Sequence, residues 1–232
     1  MVDPSLPMPT VVFVDEHLVV IDKPSGMPSV PARTPLDPPD AAAMLAERFG
    51  TLEAVHRLDR DTLGLLVLAR TPAVRRIMGI AFESGRVEKR YLAVVHGRLP
   101  ADTGTICMPL AKDPLRPPRH RVDPIQGRRA TTRWQSLSSL TGQAGGGGDM
   151  SLVALEPVTG RSHQLRVHLA WLGCPIVGDR LYGPDATARG ALALVARSMR
   201  FPHPVSESML GFEAAIPVAW DTWMLAMNHG LP

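Results

Sequence analysis

The chain has 232 residues, enough to bury one sizeable core or two small ones. Hydrophobic residues make up 45% and charged residues 20%, as in ordinary globular proteins. No apolar run approaches the length of a membrane span, because Leu63–Ala69 has only seven residues. The start, Met1-Val2-Asp3-Pro4, lacks the basic and apolar regions of a secretory signal. Cys107 and Cys174 form no CxxC pair, which argues against a disulfide framework and favours a cytoplasmic protein.

The net charge of +3 is unevenly distributed along the chain. Seven basic residues and only two acids, Asp113 and Asp123, lie between Lys112 and Arg133. The basic residues are Lys112, Arg116, Arg119, Arg121, Arg128, Arg129 and Arg133. Such a segment is typical of a protein that binds a phosphate backbone, but a solvated loop in an arginine-rich protein gives the same pattern.

Hydrophobic periodicity and capping signals predict strands interspersed with three main helices. Strands are expected near 11–14, 18–21, 65–69, 90–97, 131–140 and 151–155. Helices are expected over 40–49 with Asp40 as N-cap, from Thr71-Pro72 to about Ser84, and from a Ser162 cap to Gly173. Less regular predictions are a hairpin or ordered loop in the basic segment, a glycine-rich hairpin tip at 145–148, a strand or helix near 192–199 and a short C-terminal helix.

The charged stretch His56–Gly64 runs directly into the apolar strand at 65–69. Burying a carboxylate is costly unless it is paired, so Asp59 at the mouth of a core strand indicates a catalytic carboxylate. A carboxylate serves as nucleophile or base without a cofactor, and an arginine beside it offsets its desolvation. Arg166 is the candidate partner, and Tyr91 is the candidate aromatic residue, although a core position explains Tyr91 equally well on spacing alone.

Motifs for other chemistries are missing from the sequence. It contains no HExxH, no Cys/His cluster, no GxSxG elbow and no P-loop. His163 and His168 are five residues apart and do not share a helical face. We therefore expect no metal site.

Five segments together resemble the RluA-type pseudouridine synthase family, in the family's order. HRLDRDTLGLLVLA (56–69) resembles the motif HRLDxxTSGLLLxA, and DKPSG (22–26) resembles NKPSG. EKRY (88–91) is similar to the K-x-Y motif, TGRSHQLRVHL (159–169) to TGRTHQLRVHL, and PIVGDRLYG (175–183) to PIxGDxLYG. These matches span residues 11 to about 204.

The resemblance implies isomerisation of uridine to pseudouridine in RNA, with no metal or organic cofactor. Asp59 then corresponds to the catalytic aspartate, Tyr91 to the tyrosine that packs on the target base, and Arg166 to the arginine that salt-bridges the aspartate. Arg57 corresponds to the arginine that, in the family, takes part in flipping the base out of the RNA. Further candidates for RNA binding and base flipping are His56, Lys23, Arg119, Arg121, Arg128 and Arg161. The sequence leaves open whether Asp59 attacks C1′, attacks C6 or acts as a base at the ribose.

The resemblance also implies an α+β fold, with a mixed, mostly antiparallel sheet flanked by helices and loops and crossed by an RNA-binding cleft. We expect a single catalytic domain over residues 11–232, an N-terminal tail over 1–10 and no S4-like domain. KPSGMPSVPAR (23–33) and the basic segment look most like the short RluA subgroup. Its members modify the tRNA anticodon stem-loop (position 32) and a 23S rRNA hairpin (position 746), so the expected partner of this chain is tRNA, 23S rRNA or both. No membrane and no obligate protein partner are expected, and the chain should be a monomer.

Three departures and three alternative functions qualify this interpretation. Leu63 stands where the family usually has serine, Val195 stands where many members have histidine, and the glycine tip at 145–148 is local. The alternatives within the fold are a member acting on another rRNA site and a catalytically silent RNA chaperone. A nucleosidase that uses Asp59 as nucleophile is an alternative from another class.

Overall fold

The computed structural model describes residues 7–31, 38–142, 148–184 and 190–220. Twelve strands and three α-helices lie in these ranges, with a short 3-10 turn at Val218–Trp220. In chain order the elements are β1 (Thr10–Val14), β2 (Leu18–Lys23), α1 (Ala41–Phe49), β3 (Glu53–Ala54), β4 (Leu63–Ala69), α2 (Pro72–Glu83), β5 (Glu88–His96), β6 (Thr103–Ile106), β7 (Leu110–Lys112), β8 (His120–Val122), β9 (Thr132–Leu140), β10 (Met150–Pro157), α3 (Gln164–Trp171), β11 (Leu194–Pro202) and β12 (Met209–Glu213).

The chain forms two compact units, the first of which comprises Met1–Lys89 and Val195–Ala215. Its strands run in the order β1-β2-β4-β11, with β3 paired to β4 and β12 paired to β11. The β4–β11 pair is parallel, and the other pairs are antiparallel. Strand β4 is buried from Gly64 onward, because β2 and β11 pair with its two edges and α1 helps to cover it.

The second unit comprises Arg90–Leu194 and Ile216–Pro232. Its antiparallel strands run in the order β5-β10-β9-β6, and β7 and β8 form a separate hairpin. Helix α3 contacts β8, β9 and β10. Together, the two units confirm the predicted α+β class with a mixed, mostly antiparallel sheet.

Capping signals located two of the three helices correctly. The Asp40 carboxylate accepts hydrogen bonds from the Ala42 and Ala43 N–H groups, which begins α1 as predicted. The Thr71 hydroxyl accepts from the Val74 N–H, and Pro72 follows at N1 of α2. The prediction that Ser162 caps α3 is wrong: the helix begins at Gln164, and the N-cap position is His163, in the left-handed conformation with φ 55°.

The less regular predictions have mixed outcomes. The basic segment contains a hairpin, β7–β8, followed by a turn that brings Arg128 back beside Leu110. The region near 192–199 is a strand, β11. Residues 145–147 of the glycine tip and residues 221–232, where a C-terminal helix was predicted, lie outside the described ranges.

Candidate active site

Asp59 lies in a loop that is tied to the preceding 24–29 loop on both sides. Before Asp59, the Leu58 N–H donates to the Ser29 hydroxyl (3.1 Å), and that hydroxyl donates to the Leu58 carbonyl (3.0 Å). After it, the Arg60 backbone carbonyl accepts from the Gly26 N–H, and the Arg60 Nε donates to the Gly26 carbonyl. Asp59 is half-buried, and its carbonyl accepts from the Thr62 N–H. The backbone on each side of the carboxylate is therefore fixed.

Lys23 is the centre of this loop pair and is fully buried. Its Nζ donates to the carbonyls of Pro24 (3.0 Å), Met27 (2.9 Å) and Arg60 (3.0 Å). These bonds use all three ammonium donors. The predicted contact of Lys23 with RNA is corrected by this geometry, since the ammonium has no exposed surface and instead holds the Asp59 loop.

The ammonium of Lys23 is costly to bury, and neighbouring acids offset part of that cost. Burial lowers the pKa of Lys23 from its usual 10.5 to about 8, although Asp61, Asp59 and Asp22 oppose this shift. The buried lysine is thus electrostatically linked to the candidate catalytic carboxylate.

His56 has a structural position in the same loop. Its Nε2 accepts from the Val67 N–H (3.1 Å), and its ring stacks on Phe82 with centroids 4.6 Å apart. Burial, and then the charge of Lys89, lower the pKa of His56 to about 3. The ring is therefore neutral, and its Nε2 is occupied by β4, while the role of His56 in RNA binding stays a prediction. Arg57, the next residue, is exposed and lies beside Asp59 in the chain.

Arg166 is buried in the second unit and forms a bidentate ion pair with Asp179. Its Nε and Nη2 atoms lie 2.8 and 2.7 Å from the two carboxylate oxygens. Both side chains are at most 5% exposed. The Asp179 carboxylate also accepts hydrogen bonds from the N–H groups of Leu181 and Tyr182. The sequence did not identify this partner, although Asp179 is the acid of the GDxLYG-like motif.

Tyr182 connects this ion pair to the basic hairpin. Its hydroxyl accepts from the His120 N–H (2.7 Å) and shares a hydrogen bond with His163 Nδ1 (2.7 Å). The guanidinium carbons of Arg166 and Arg119 lie 5.2 and 5.6 Å from its ring centroid, within cation–π range. The position of Arg166 is therefore linked to that of the hairpin, a role for Tyr182 that the sequence did not suggest.

The other polar residues at the start of α3 attach it to β9. Gln164 donates to the Thr131 carbonyl and the Thr132 hydroxyl, and it accepts from the Thr159 hydroxyl. His168 lies between the Thr132 hydroxyl and the Met108 carbonyl, and burial lowers its pKa. Its ring is neutral, with Nε2–H donating to the carbonyl. These residues hold the helix that carries Arg166.

The remaining predicted residues lie in the second unit. Tyr91 is buried on β5, opposite Leu155 of β10. Arg119 is half-buried against Tyr182, while Arg121, Arg128 and Arg161 are exposed. Arg161 Nε donates to the Arg129 carbonyl (3.1 Å), which brings the start of α3 to the basic segment. This unit therefore combines Arg166 with an arginine-rich surface.

Two further observations concern metals and membranes. Among the residues that the structure describes, no group of three or more His, Cys, Asp or Glu side chains could hold a metal ion. Within the same ranges, no helix is long and apolar enough to cross a membrane.

Two solved structures that share this fold are named for an RNA pseudouridylate synthase domain. Human RNA Pseudouridylate Synthase Domain Containing 1 superposes with a TM-score of 0.75 at 24% identity, covering 98% of each chain. Human RNA Pseudouridylate Synthase Domain Containing 4 gives a TM-score of 0.74 at 24% identity, covering 96% of this chain and 94% of the other. These two likenesses establish the fold.

Sequence comparisons establish the family. The family model described as RNA pseudouridylate synthase matches residues 17–171. The Dual-specificity RNA pseudouridine synthase RluA of Haemophilus influenzae is 37% identical over 213 residues, covering 91% of this chain and 94% of its own. The protein of the same name from Yersinia pestis is 38% identical over 196 residues, covering 84% and 92%. An Uncharacterized RNA pseudouridine synthase YjbO of Bacillus subtilis is 33% identical, covering 94% and 76%.

The chain therefore belongs to the RNA pseudouridylate synthase family, and it resembles the RluA-type members. It is an isomerase that converts uridine in RNA to pseudouridine.

Proposed function

We propose that this enzyme modifies the tRNA anticodon stem-loop, a hairpin of 23S rRNA, or both, as the short RluA subgroup does. The observation that carries the proposal is the match to dual-specificity RluA proteins over nearly the full length of both chains. The arginine-rich hairpin supports it, because exposed guanidinium groups bind phosphates. A tRNA or ribosomal substrate implies a cytoplasmic location. The chain is proposed to act as a monomer with a single catalytic domain over residues 11–232.

We further propose that Asp59, Tyr91 and Arg166 carry the reaction in the roles that the family assigns to them. The N1–C1′ bond breaks, the uracil rotates and a C5–C1′ bond forms. The C5 proton leaves to water and N1 takes up a proton, so that the product is an isomer of the substrate. Asp59 acts on the nucleotide as nucleophile or base, and Tyr91 packs on the uracil. Arg57, exposed beside Asp59 in the chain, helps to hold the target base outside the RNA stack. Arg166 takes the role of the arginine that salt-bridges the catalytic aspartate in the family.

Arg119, Arg121, Arg128 and Arg161 are proposed to bind RNA phosphates. Arg121 and Arg128 stand on or directly after the hairpin, and Arg161 attaches to the Arg129 carbonyl. In this proposal the charges of these arginines set the affinity of the enzyme for RNA. They do not determine which uridine is modified, because phosphate contacts carry little sequence information. Replacing Arg128 with alanine should weaken the binding of all RNA substrates by a similar factor.

The substrate is tested by measuring tritium release from C5-labelled uridine in two transcripts, an anticodon stem-loop and the 23S hairpin. Release from either transcript supports the proposal, and release from both identifies a dual-specificity enzyme. Primer-extension mapping in a strain without the gene then shows which cellular pseudouridines disappear. If all tRNA anticodon stem-loops and the 23S hairpin keep their pseudouridine, the proposed substrates are wrong.

A further inference from the structure

Two surface turns in the second unit share the sequence Asp-Pro-aliphatic. They are Asp113-Pro114-Leu115 and Asp123-Pro124-Ile125, and they lie at opposite ends of the β7–β8 hairpin. Leu115 is 85% exposed and Ile125 is 92% exposed, which makes them the two most exposed large hydrophobic side chains among the described residues. The short strands between the turns span about 10 Å. Nothing in the reaction chemistry above uses either side chain.

Each turn is held rigid by its aspartate. Asp113 Oδ1 accepts from the Leu115 N–H (3.1 Å), and Asp123 Oδ1 accepts from the N–H groups of Ile125 (3.1 Å) and Gln126 (2.9 Å). Both aspartates are buried, and the proline that follows each one restricts the backbone further. Because the turns are rigid, they hold the aliphatic side chains in water, and ordering them on binding costs little entropy.

The second oxygen of each aspartate holds an arginine. Asp113 Oδ2 lies 2.9 Å from Arg116 Nε, and Asp123 Oδ2 lies 3.0 Å from Arg121 Nη2. Each of these arginine side chains is about half exposed or more, at 66% and 46%. Each turn therefore presents an apolar tip and a cation from one fixed scaffold.

An apolar tip next to a guanidinium group suits single-stranded RNA. The cation binds a phosphate, while the tip packs against the face of an unpaired base. In a continuous duplex the base faces are stacked and cannot be reached, whereas loop nucleotides are splayed and available. The surrounding positive charge favours RNA over a second copy of this chain, whose own basic hairpin would be repelled.

We propose that Leu115 and Ile125 are two base-stacking contacts for unpaired nucleotides of the RNA substrate. The inference rests on the proposed function and deepens it, because it defines the substrate class as RNA with an open loop. Arg116 and Arg121 bind the phosphates that flank these nucleotides. The duplicated turn thus selects hairpin loops over regular helices.

The test measures binding without turnover, using Asp59→Asn protein and the anticodon stem-loop transcript. Leu115→Ala and Ile125→Ala should each weaken binding about tenfold, as loss of one buried aliphatic contact predicts. Val218→Ala is the matched control, since Val218 is also highly exposed at 80% and lies outside the basic segment. It should bind like the parent protein. A fully paired duplex of the same stem should bind the parent protein and the three alanine variants equally.

Two further readouts separate stacking from other roles. Leu115→Ala should leave the salt dependence of binding unchanged, whereas Arg128→Ala should reduce the slope of log K against log salt by about 0.7. Leu115→Trp should not show the loss of affinity expected for Leu115→Ala and should bind like the parent protein, because an aromatic ring also stacks on bases. When an abasic site replaces the contacted loop nucleotide, the penalty of Leu115→Ala should disappear.

The inference is overturned if both alanine variants bind the stem-loop like the parent protein. It is also overturned if the wild type self-associates through these tips, so that Leu115→Ala dissolves the oligomer and leaves RNA affinity unchanged. Failure of the proposed function has a different signature, since wild-type protein would then release no tritium from either transcript.

Discussion

At the scale of single residues, the buried charged groups Arg166 and Lys23 are both paired. Arg166 is matched by the two oxygens of Asp179, and Lys23 by three backbone carbonyls. A buried ion costs several kcal/mol when its partner is removed, on the order of 3–5 kcal/mol for a buried pair. Arg166 therefore contributes to folding as well as to the proposed chemistry, and removing it should cost more than the loss of one surface charge.

The ion pair gives the first prediction. Asp179→Ala should lower the free energy of unfolding by about 3–5 kcal/mol, because the buried guanidinium of Arg166 would lose its bidentate pair with this carboxylate. Glu156→Ala is the control: its pair with Arg133 is exposed, at 61% and 49%, and should contribute at most about 1 kcal/mol. Urea unfolding curves of the two variants measure the difference. Equal small losses would contradict a structural role for the buried pair.

Lys23 gives the second prediction, through the pH dependence of stability. Its pKa is about 8 in the folded protein and about 10.5 in the unfolded chain, so between these values the unfolded chain binds more protons. The free energy of unfolding should therefore gain a component that rises with pH from about 8 to 10.5, by at most about 1.4 kcal/mol per pH unit.

Lys23→Met should remove this component. The exposed Lys112→Met variant should keep it. Unfolding measured in urea at several pH values provides the slopes, and a Lys23→Met slope equal to that of wild type would count against the buried ammonium.

At the scale of secondary structure, the parallel β4–β11 pair brings two of the three departures from the family together. Leu63 and Val195 are register partners, and Val195 is fully buried. The replacement of a serine and a histidine by two apolar residues is therefore one local change. Two apolar register partners stand where other members place polar side chains, at the start of the strand that follows the Asp59 loop.

The third prediction tests this coupling with a double-mutant cycle. Val195→His should lower stability by about 1–3 kcal/mol, because the imidazole would be buried against Leu63 without a polar partner. Adding Leu63→Ser should recover part of that loss, with a coupling of about 0.5–3 kcal/mol. Denaturant unfolding of both singles and the double gives the coupling. Strictly additive losses would show that the two departures are independent.

Gly64 gives the fourth prediction, on the same strand pair. Its φ is +106°, and an added Cβ would lie 2.4 Å from the Ala196 carbonyl oxygen. Gly64→Ala should therefore cost at least about 2 kcal/mol, from backbone strain and from forcing the parallel strands apart. Gly79→Ala is the matched control, since Gly79 lies within α2 with open space around it. That variant should gain up to about 1 kcal/mol. A reversed order of melting temperatures would contradict the packing described.

At the scale of the whole molecule, the sequence predicted the family, the fold class and most element positions. Local signals such as the Asp40 cap and the Thr71-Pro72 start depend on neighbouring residues, so the sequence is sufficient to read them. The start of α3 was misplaced because His163 adopts a left-handed conformation fixed by Tyr182, a residue 19 positions away.

Burial explains which site residues the sequence misjudged. Lys23 stands in a motif that resembles an RNA-binding signature, yet its ammonium is buried and bonded to three backbone carbonyls. Asp179 and Tyr182 were overlooked as site residues because their partners are distant in sequence and meet only in the folded chain. A motif shows that a residue belongs to a site, and only the contacts show whether it faces the substrate or the scaffold.

The fifth prediction concerns Asp59 as the catalytic residue of an RNA pseudouridine synthase. The most direct measurement is tritium release from C5-labelled uridine in stem-loop RNA, with wild-type protein and Asp59→Asn side by side. The wild type should release tritium, and the variant should release none above background while keeping its fold and its RNA affinity. Release by Asp59→Asn at the wild-type rate would contradict the account.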